Sequence, residues 1–112
     1  TMKLPAVYAN VSCRNPERSI AWYSALFDRA PDAQPMQGLS EWHWQGAGFQ
    51  LFVNPGHAGH CTLTLFVHDL QAEAARFKSS LITPAPIEQA DYVDIMRLLD
   101  PDENLVVLAE KR

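Results

Sequence analysis

Val7-Tyr8-Ala9-Asn10-Val11-Ser12-Cys13-Arg14-Asn15-Pro16-Glu17-Arg18-Ser19-Ile20-Ala21-Trp22-Tyr23 decides the fold, because its pattern is written twice in the chain. Val7, Ala9, Val11 and Cys13 alternate with Tyr8, Asn10 and Ser12, a period of two that predicts a strand with one buried face. Asn15 then supplies an N-cap, Pro16 the first helical position and Glu17 a carboxylate near unpaired N–H groups. Such a cap stabilises a helix by about 1 kcal/mol. Ile20, Tyr23 and Phe27 recur at helical spacing, with Trp22 and Leu26 widening the stripe. Asn15 recurs as Asp69, 54 positions later. The same shift carries Val11 to Leu65, Cys13 to Val67, Ile20 to Ala74, Tyr23 to Phe77 and Phe27 to Leu81. Around it, Cys61, Leu63, Leu65 and Val67 alternate with Thr62, Thr64 and Phe66, and Leu70, Ala74, Phe77 and Leu81 form a stripe. Strand face, cap and stripe agree at one offset, which marks a duplicated supersecondary unit.

The segments between the copies complete each half. Residues 28–35 break the helical pattern, with prolines at 31 and 35. Residues 41–45 and 48–53 predict two strands joined at Gly46-Ala47-Gly48, with a weaker strand around 34–39 before them. Asn54-Pro55-Gly56-His57-Ala58-Gly59 has the densest turn chemistry and marks the boundary between halves. After the second helix, Pro84-Ala85-Pro86 leads to a strand over 92–99, a turn at Asp100-Pro101-Asp102-Glu103-Asn104 and a last strand over 105–109. That closing pair mirrors residues 42–53 at a shift of about 57, so the second half carries a short insertion. The expected fold class is α+β, with two βαβββ modules at about 4–56 and 57–112 in a single domain spanning 1–112.

Composition narrows the function classes. A chain of 112 residues, 47% hydrophobic and 20% charged, suits one compact globular domain. A domain of this size buries roughly two-thirds of its unfolded surface and can hold together without disulfides. Cys13 and Cys61, both in alternating apolar runs, read as free buried thiols. No apolar run approaches the roughly 18–20 residues of a membrane span, so no membrane partner is expected. Residues 1–5 are too short and too soon broken by proline for a secretory signal, and the cytoplasm is the expected compartment. The net charge is -4, with no basic stripe, which argues against nucleic acid as a partner.

Once one face of each sheet has packed on its helix, the opposite face is left over. The helix-packed set reads Val11, Leu51, Leu63, Leu65, Val106 and Leu108. The leftover set reads Tyr8, Asn10, Ser12, Trp42, Trp44, Gln50, Phe52, Thr62, Thr64, Phe66 and Val107. A sheet face that meets bulk water carries Lys, Glu and Thr. Aromatics beside a few uncharged polar groups instead line a small-molecule pocket or a partner interface. Arg97 is the one charged residue of its otherwise apolar face, placed either to anchor an anionic ligand or to reach solvent. His57 and His60 read as exposed loop residues. His43 faces away from Trp42 and Trp44, and His68 precedes a cap. No phosphate loop, nucleophile elbow or carboxylate pair is present.

Three stretches carry a family resemblance across the whole chain. Asn15-Pro16-Glu17-Arg18-Ser19-Ile20-Ala21-Trp22-Tyr23 is similar to the first helix opening of the vicinal oxygen chelate superfamily. That superfamily includes glyoxalase I, bleomycin-resistance proteins and extradiol dioxygenases. Val67-His68-Asp69-Leu70 and Asp100-Pro101-Asp102-Glu103-Asn104 resemble its second helix entry and its final turn. The resemblance implies paired modules in a cupped, mostly antiparallel eight-stranded sheet, and a homodimer. In metal-using members four inward side chains hold a divalent ion. Carried over, these positions fall on Tyr8, Gln50, Thr62 and Val107, of which only Gln50 is a serviceable donor. No metal or other cofactor is therefore expected.

The resemblance implies three classes of function. The first is a metal-free protein that holds a small organic ligand. Tyr8, Trp42, Trp44, Phe52 and Phe66 would stack on it, while Asn10, Gln50, Thr62 and Thr64 would supply hydrogen bonds. The second is a metal-dependent lyase, isomerase or dioxygenase, and the third a domain whose sheet face serves only self-association. The missing donors favour the first.

Overall fold

The duplicated pattern folds as two copies of one unit. The structure is a computed structural model that describes residues Thr1–Arg112. Module one contains β1 (Val7–Cys13), α1 (Pro16–Phe27), β2 (Ala33–Met36), β3 (Leu39–Trp44) and β4 (Ala47–Val53). Module two contains β5 (Thr62–Phe66), α2 (Leu70–Phe77), β6 (Glu88–Gln89), β7 (Val93–Leu99) and β8 (Leu105–Lys111). The strands form two four-stranded sheets in the orders β1-β4-β3-β2 and β5-β8-β7-β6. In each sheet the first strand runs parallel to the last and the other pairs are antiparallel. Asn10 stands opposite Gln50 as Thr64 stands opposite Val107, so the two shifts read from the sequence map one ladder onto the other.

Both helices start where their caps dictate. The Asn15 side chain accepts the Arg18 N–H at 3.2 Å, and the Asp69 side chain accepts the Ala72 N–H at 3.0 Å. The second helix ends at Phe77, four residues short of the expected stripe. Leu81 therefore stands in the following loop, exposed, and Ile82 enters the core in its place. The chain contains no helix long and apolar enough to cross a membrane.

Register in the β3–β4 hairpin corrects one expectation. The turn is two residues, Gln45-Gly46, with Trp44 opposite Ala47 and Gly46 at φ 76°. Glycine at the second turn position adopts that positive φ at no steric cost. The expected turn at 46–48 is one residue longer, and a one-residue slip exchanges the two faces of a strand. Trp42 consequently stands opposite Phe49 on the helix side, completely buried, with its indole N–H donating to the Arg29 carbonyl at 2.9 Å. Trp44 lies on that side too. Neither tryptophan shares a face with Tyr8.

The helix-side residues of both modules merge into one core. Tyr23, Trp42, Phe49 and Leu51 from module one join Phe77, Met96, Val106 and Leu108 from module two. Arg76 of α2 donates to the carbonyls of Ala25 and Leu26, capping the open end of α1. Cys13 is buried there, and burial followed by the Asp102 charge pushes its thiol up, which keeps it inert.

The final-turn motif is the joint between modules. Asn104 is completely buried. Its Oδ1 accepts the N–H groups of Gly59 and Cys61, and its Nδ2 donates to the Ser12 carbonyl and to Asp100. Asp100 also takes the Tyr23 hydroxyl at 2.7 Å. Burial, then the Asp100 charge, push that phenol far above its ordinary pKa, so it remains a donor. Asp102 accepts the backbone N–H and the guanidinium of Arg14 and the Ser19 hydroxyl. No buried side-chain nitrogen or oxygen is left without a partner.

Two stability outcomes follow from this turn. Asn104→Ala strips four hydrogen bonds and orphans buried groups, so urea unfolding is expected to show a loss of roughly 3 kcal/mol or more. Glu103 holds a left-handed φ of 68°. Glu103→Gly is expected to relieve about 1 kcal/mol of strain and raise the melting temperature by a few degrees.

Candidate functional site

The face of module one turned away from α1 carries a continuous polar chain. Register places Asn10, Gln50 and Glu41 side by side across β1, β4 and β3, and Tyr8, Gly48 and His43 in the next row. The Asn10 amide donates to Gln50 Oε1 at 3.2 Å, and Gln50 Nε2 donates to Glu41 Oε2 at 2.8 Å. The other Glu41 oxygen lies 2.9 Å from His43 Nε2. Hydrogen bonds from Gln50 and then His43 hold the Glu41 carboxyl below its ordinary range. The Tyr8 ring meets His43 edge-on, with centroids 5.9 Å apart. Gly48 makes room for that ring, since a Cβ at 48 would stand 2.3 Å from it. Phe52 lies on the same face, opposite Ser12 and Leu39.

Module two offers the counterpart face. Thr62, Thr64 and Phe66 of β5, Val107 of β8 and Arg97 of β7 lie on it, with Thr64, Val107 and Arg97 in one row. Arg97 is paired, its guanidinium 3.3 Å from Glu88 on the short edge strand β6. Both side chains are about half exposed, so the pair contributes little stability and leaves the guanidinium accessible. Phe66 is 61% exposed, with the Lys111 ammonium 5.2 Å from its ring centre. Within one chain, then, this face is open.

The structure thus keeps Tyr8, Asn10, Gln50 and Phe52 together on one sheet and Thr62, Thr64, Phe66, Arg97 and Val107 together on the other. Trp42 is core. Trp44 packs edge-on against Phe27 at 4.8 Å, under the Arg29 guanidinium. With Phe27, Leu65, Phe66 and Arg76 it lines a separate open groove of about 580 Å³ between the modules. Glu41 and His43 were missed because the assumed turn put them on the wrong side. The glycine at 46, read as the second residue of a two-residue turn, was the available signal.

The metal-using arrangement does not fit this chain. At the four corresponding positions Val107 has no donor atom, Tyr8 and Thr62 offer protonated hydroxyls, and the Gln50 amide already serves Asn10 and Glu41. Glu41 and His43 make a pair, but nowhere do three or more His, Cys, Asp or Glu side chains converge to hold an ion. His57 and His60 are exposed loop residues.

Solved structures supply the wider frame. A glyoxalase/bleomycin resistance protein from Catenulispora acidiphila superposes with a TM-score of 0.87 at 28% identity, over 96% of this chain and 98% of that one. The fold is that of the vicinal oxygen chelate superfamily. Two other solved structures of this fold are of ligand-binding proteins. An antibiotic binding protein from a Streptomyces species matches at TM-score 0.81 and 17% identity, over 96% of this chain and 95% of that one. A bleomycin-binding protein solved with bleomycin matches at 0.74 and 19%, over 96% and 98%. No protein-family model and no curated protein matches the sequence.

The polar chain gives two measurable outcomes. In Gly48→Ala the half-exposed Tyr8 ring swings off the sheet, so NMR contacts between Tyr8 and His43 should vanish while stability changes by no more than about 1 kcal/mol. The depressed Glu41 carboxyl contributes stability above its unfolded pKa of about 4.3, and that contribution is lost as pH falls through the lower folded value. The stability gap between wild type and Glu41→Gln is therefore expected at neutral pH and should close in acid.

Proposed function

We propose that this protein binds a small organic molecule, without a resident metal, in a cleft where a module-one sheet face meets a module-two sheet face. Residues 1–112 act as one domain in this reading, and a second copy of the chain supplies the facing module. The observation that carries it is the make-up of the two faces: aromatic rings and mostly uncharged hydrogen-bonding groups, charged at Glu41 in module one and at the Arg97–Glu88 pair in module two, with no convergent donor set for a cation. Stacking falls to Tyr8, Phe52 and Phe66, and hydrogen bonding to Asn10, Gln50, Thr62 and Thr64. Arg97 offers charge to an acidic group. The antibiotic-binding and bleomycin-binding proteins of the same fold support this reading.

Exposure supports the homodimer. Both sheets turn their other faces into the shared core, which leaves Tyr8 43%, Phe66 61% and Leu99 61% exposed in the single chain. Apolar patches of that kind, beside the edge strands β1 and β5, are ordinarily covered. A two-fold partner covers both at once and makes two equal clefts. Two free thiols suit a reducing compartment, in keeping with the cytoplasm.

Sedimentation equilibrium at micromolar concentration is expected to show a dimer, and elemental analysis no stoichiometric metal. Calorimetric melting against a library of flat aromatic compounds should find stabilisers, since ligand at 100 times its Kd adds roughly 2.7 kcal/mol. Tyr8→Ala and Phe66→Ala, on different modules, should both weaken the same hit about tenfold or more. A dimer that no compound stabilises would favour a pure interface. One bound metal per chain would overturn the donor analysis.

A further inference from the structure

We infer that the Glu41–His43 pair gives the module-one face a proton-accepting end, so that the site selects ligands carrying an acidic hydroxyl on a flat ring. The inference rests on the binding reading above and specifies its ligand class. It starts from the hydrogen bond between Glu41 Oε1 and His43 Nε2. An ionised carboxylate can only accept, so the proton of that bond sits on Nε2. A neutral imidazole with Nε2–H has its lone pair on Nδ1. No side chain or backbone group donates to Nδ1, and the ring is 41% exposed. One base is thus left unoccupied on the floor of the face.

The surroundings hold this base in place. The Glu41 carboxylate, 12% exposed, is itself anchored by Gln50 and, through it, by Asn10. Tyr8 leans edge-on against the imidazole and limits its rotation. The strand is pinned at the same residue, because Asp32 accepts the His43 N–H and the Arg29 guanidinium donates to the His43 carbonyl. Among the groups packed against the ring, Glu41 and Tyr8 are the titratable ones, and Gly48 on β4 contributes none. A carboxylate behind an imidazole fixes its tautomer and stabilises the imidazolium that forms when Nδ1 takes a proton. The transfer is simple: the ligand O–H bond gives up its proton to Nδ1, the oxygen keeps the electron pair, and the resulting cation lies against Glu41. Tyr8, in the same row as His43, then offers the aromatic surface on which the ring of such a ligand lies.

The test pairs para-nitrophenol with para-nitroanisole, its methyl ether, which has the same ring and lacks the proton. Wild type is expected to bind the phenol roughly tenfold more tightly near neutral pH, and the bound phenol should show the visible absorbance of its anion. The preference should fall toward unity in His43→Phe. Glu41→Gln, which removes the charge behind the ring, should lose the anion absorbance. Independently of any ligand, long-range proton–nitrogen NMR should find His43 as the Nε2–H tautomer, and Glu41→Gln should alter that signature. A His43 ring protonated on Nδ1 alone, or equal affinity for phenol and ether, would overturn this inference while leaving the cleft intact. Failure of both compounds to bind would remove the cleft reading for flat rings and this inference with it.

Discussion

One buried amide holds the two modules in register. Asn104 spends both ends of its side chain inside the protein, binding β1, the inter-module loop and its own turn at once. Asp100 and Asp102 extend that grip to α1 through Tyr23 and Ser19, and to the β1–α1 connection through Arg14. Two carboxylates this deeply buried are tolerable because every lone pair meets an N–H, an O–H or a guanidinium. Their role is therefore architectural. They draw the helix sides of both sheets onto one core, and the faces available for binding are whatever that packing leaves outside.

What those outer faces present is set by hairpin register. A two-residue turn sends Trp42 and Trp44 inward and Glu41 and His43 outward. A three-residue turn would have done the reverse, with the same strands and the same hydrogen-bond ladders. The second module turns through five residues between β7 and β8, and the resulting register aligns Arg97, and not its neighbour, with Glu41. The lengths of two turns thus decide which charges line the site.

Much of the fold was legible in the sequence for physical reasons. The Asn15 and Asp69 caps, the alternation in β1 and β5, and the common offset of 54 report local interactions that act within a few residues. The βαβββ order followed from them. The site was legible in part. Tyr8, Asn10, Thr62 and Thr64 stood on strands whose faces the pattern settles outright. Trp42 and Trp44 did not, because tryptophan is at home in a core and in a pocket, and their parity hung on one turn residue. Arg97 found its partner on β6, a strand of two residues that no periodicity can announce.

The burial of Trp42 has one more consequence. Trp22, Trp42 and Trp44 are the three tryptophans of the chain, and all belong to the first module. Trp22 and Trp42 are shielded in the core and only Trp44 reaches water. Indole emission from this protein is accordingly a report on one half of a duplicated molecule. Events in the other half reach that signal only through the shared interior or through the groove that Trp44 forms with Leu65, Phe66 and Arg76.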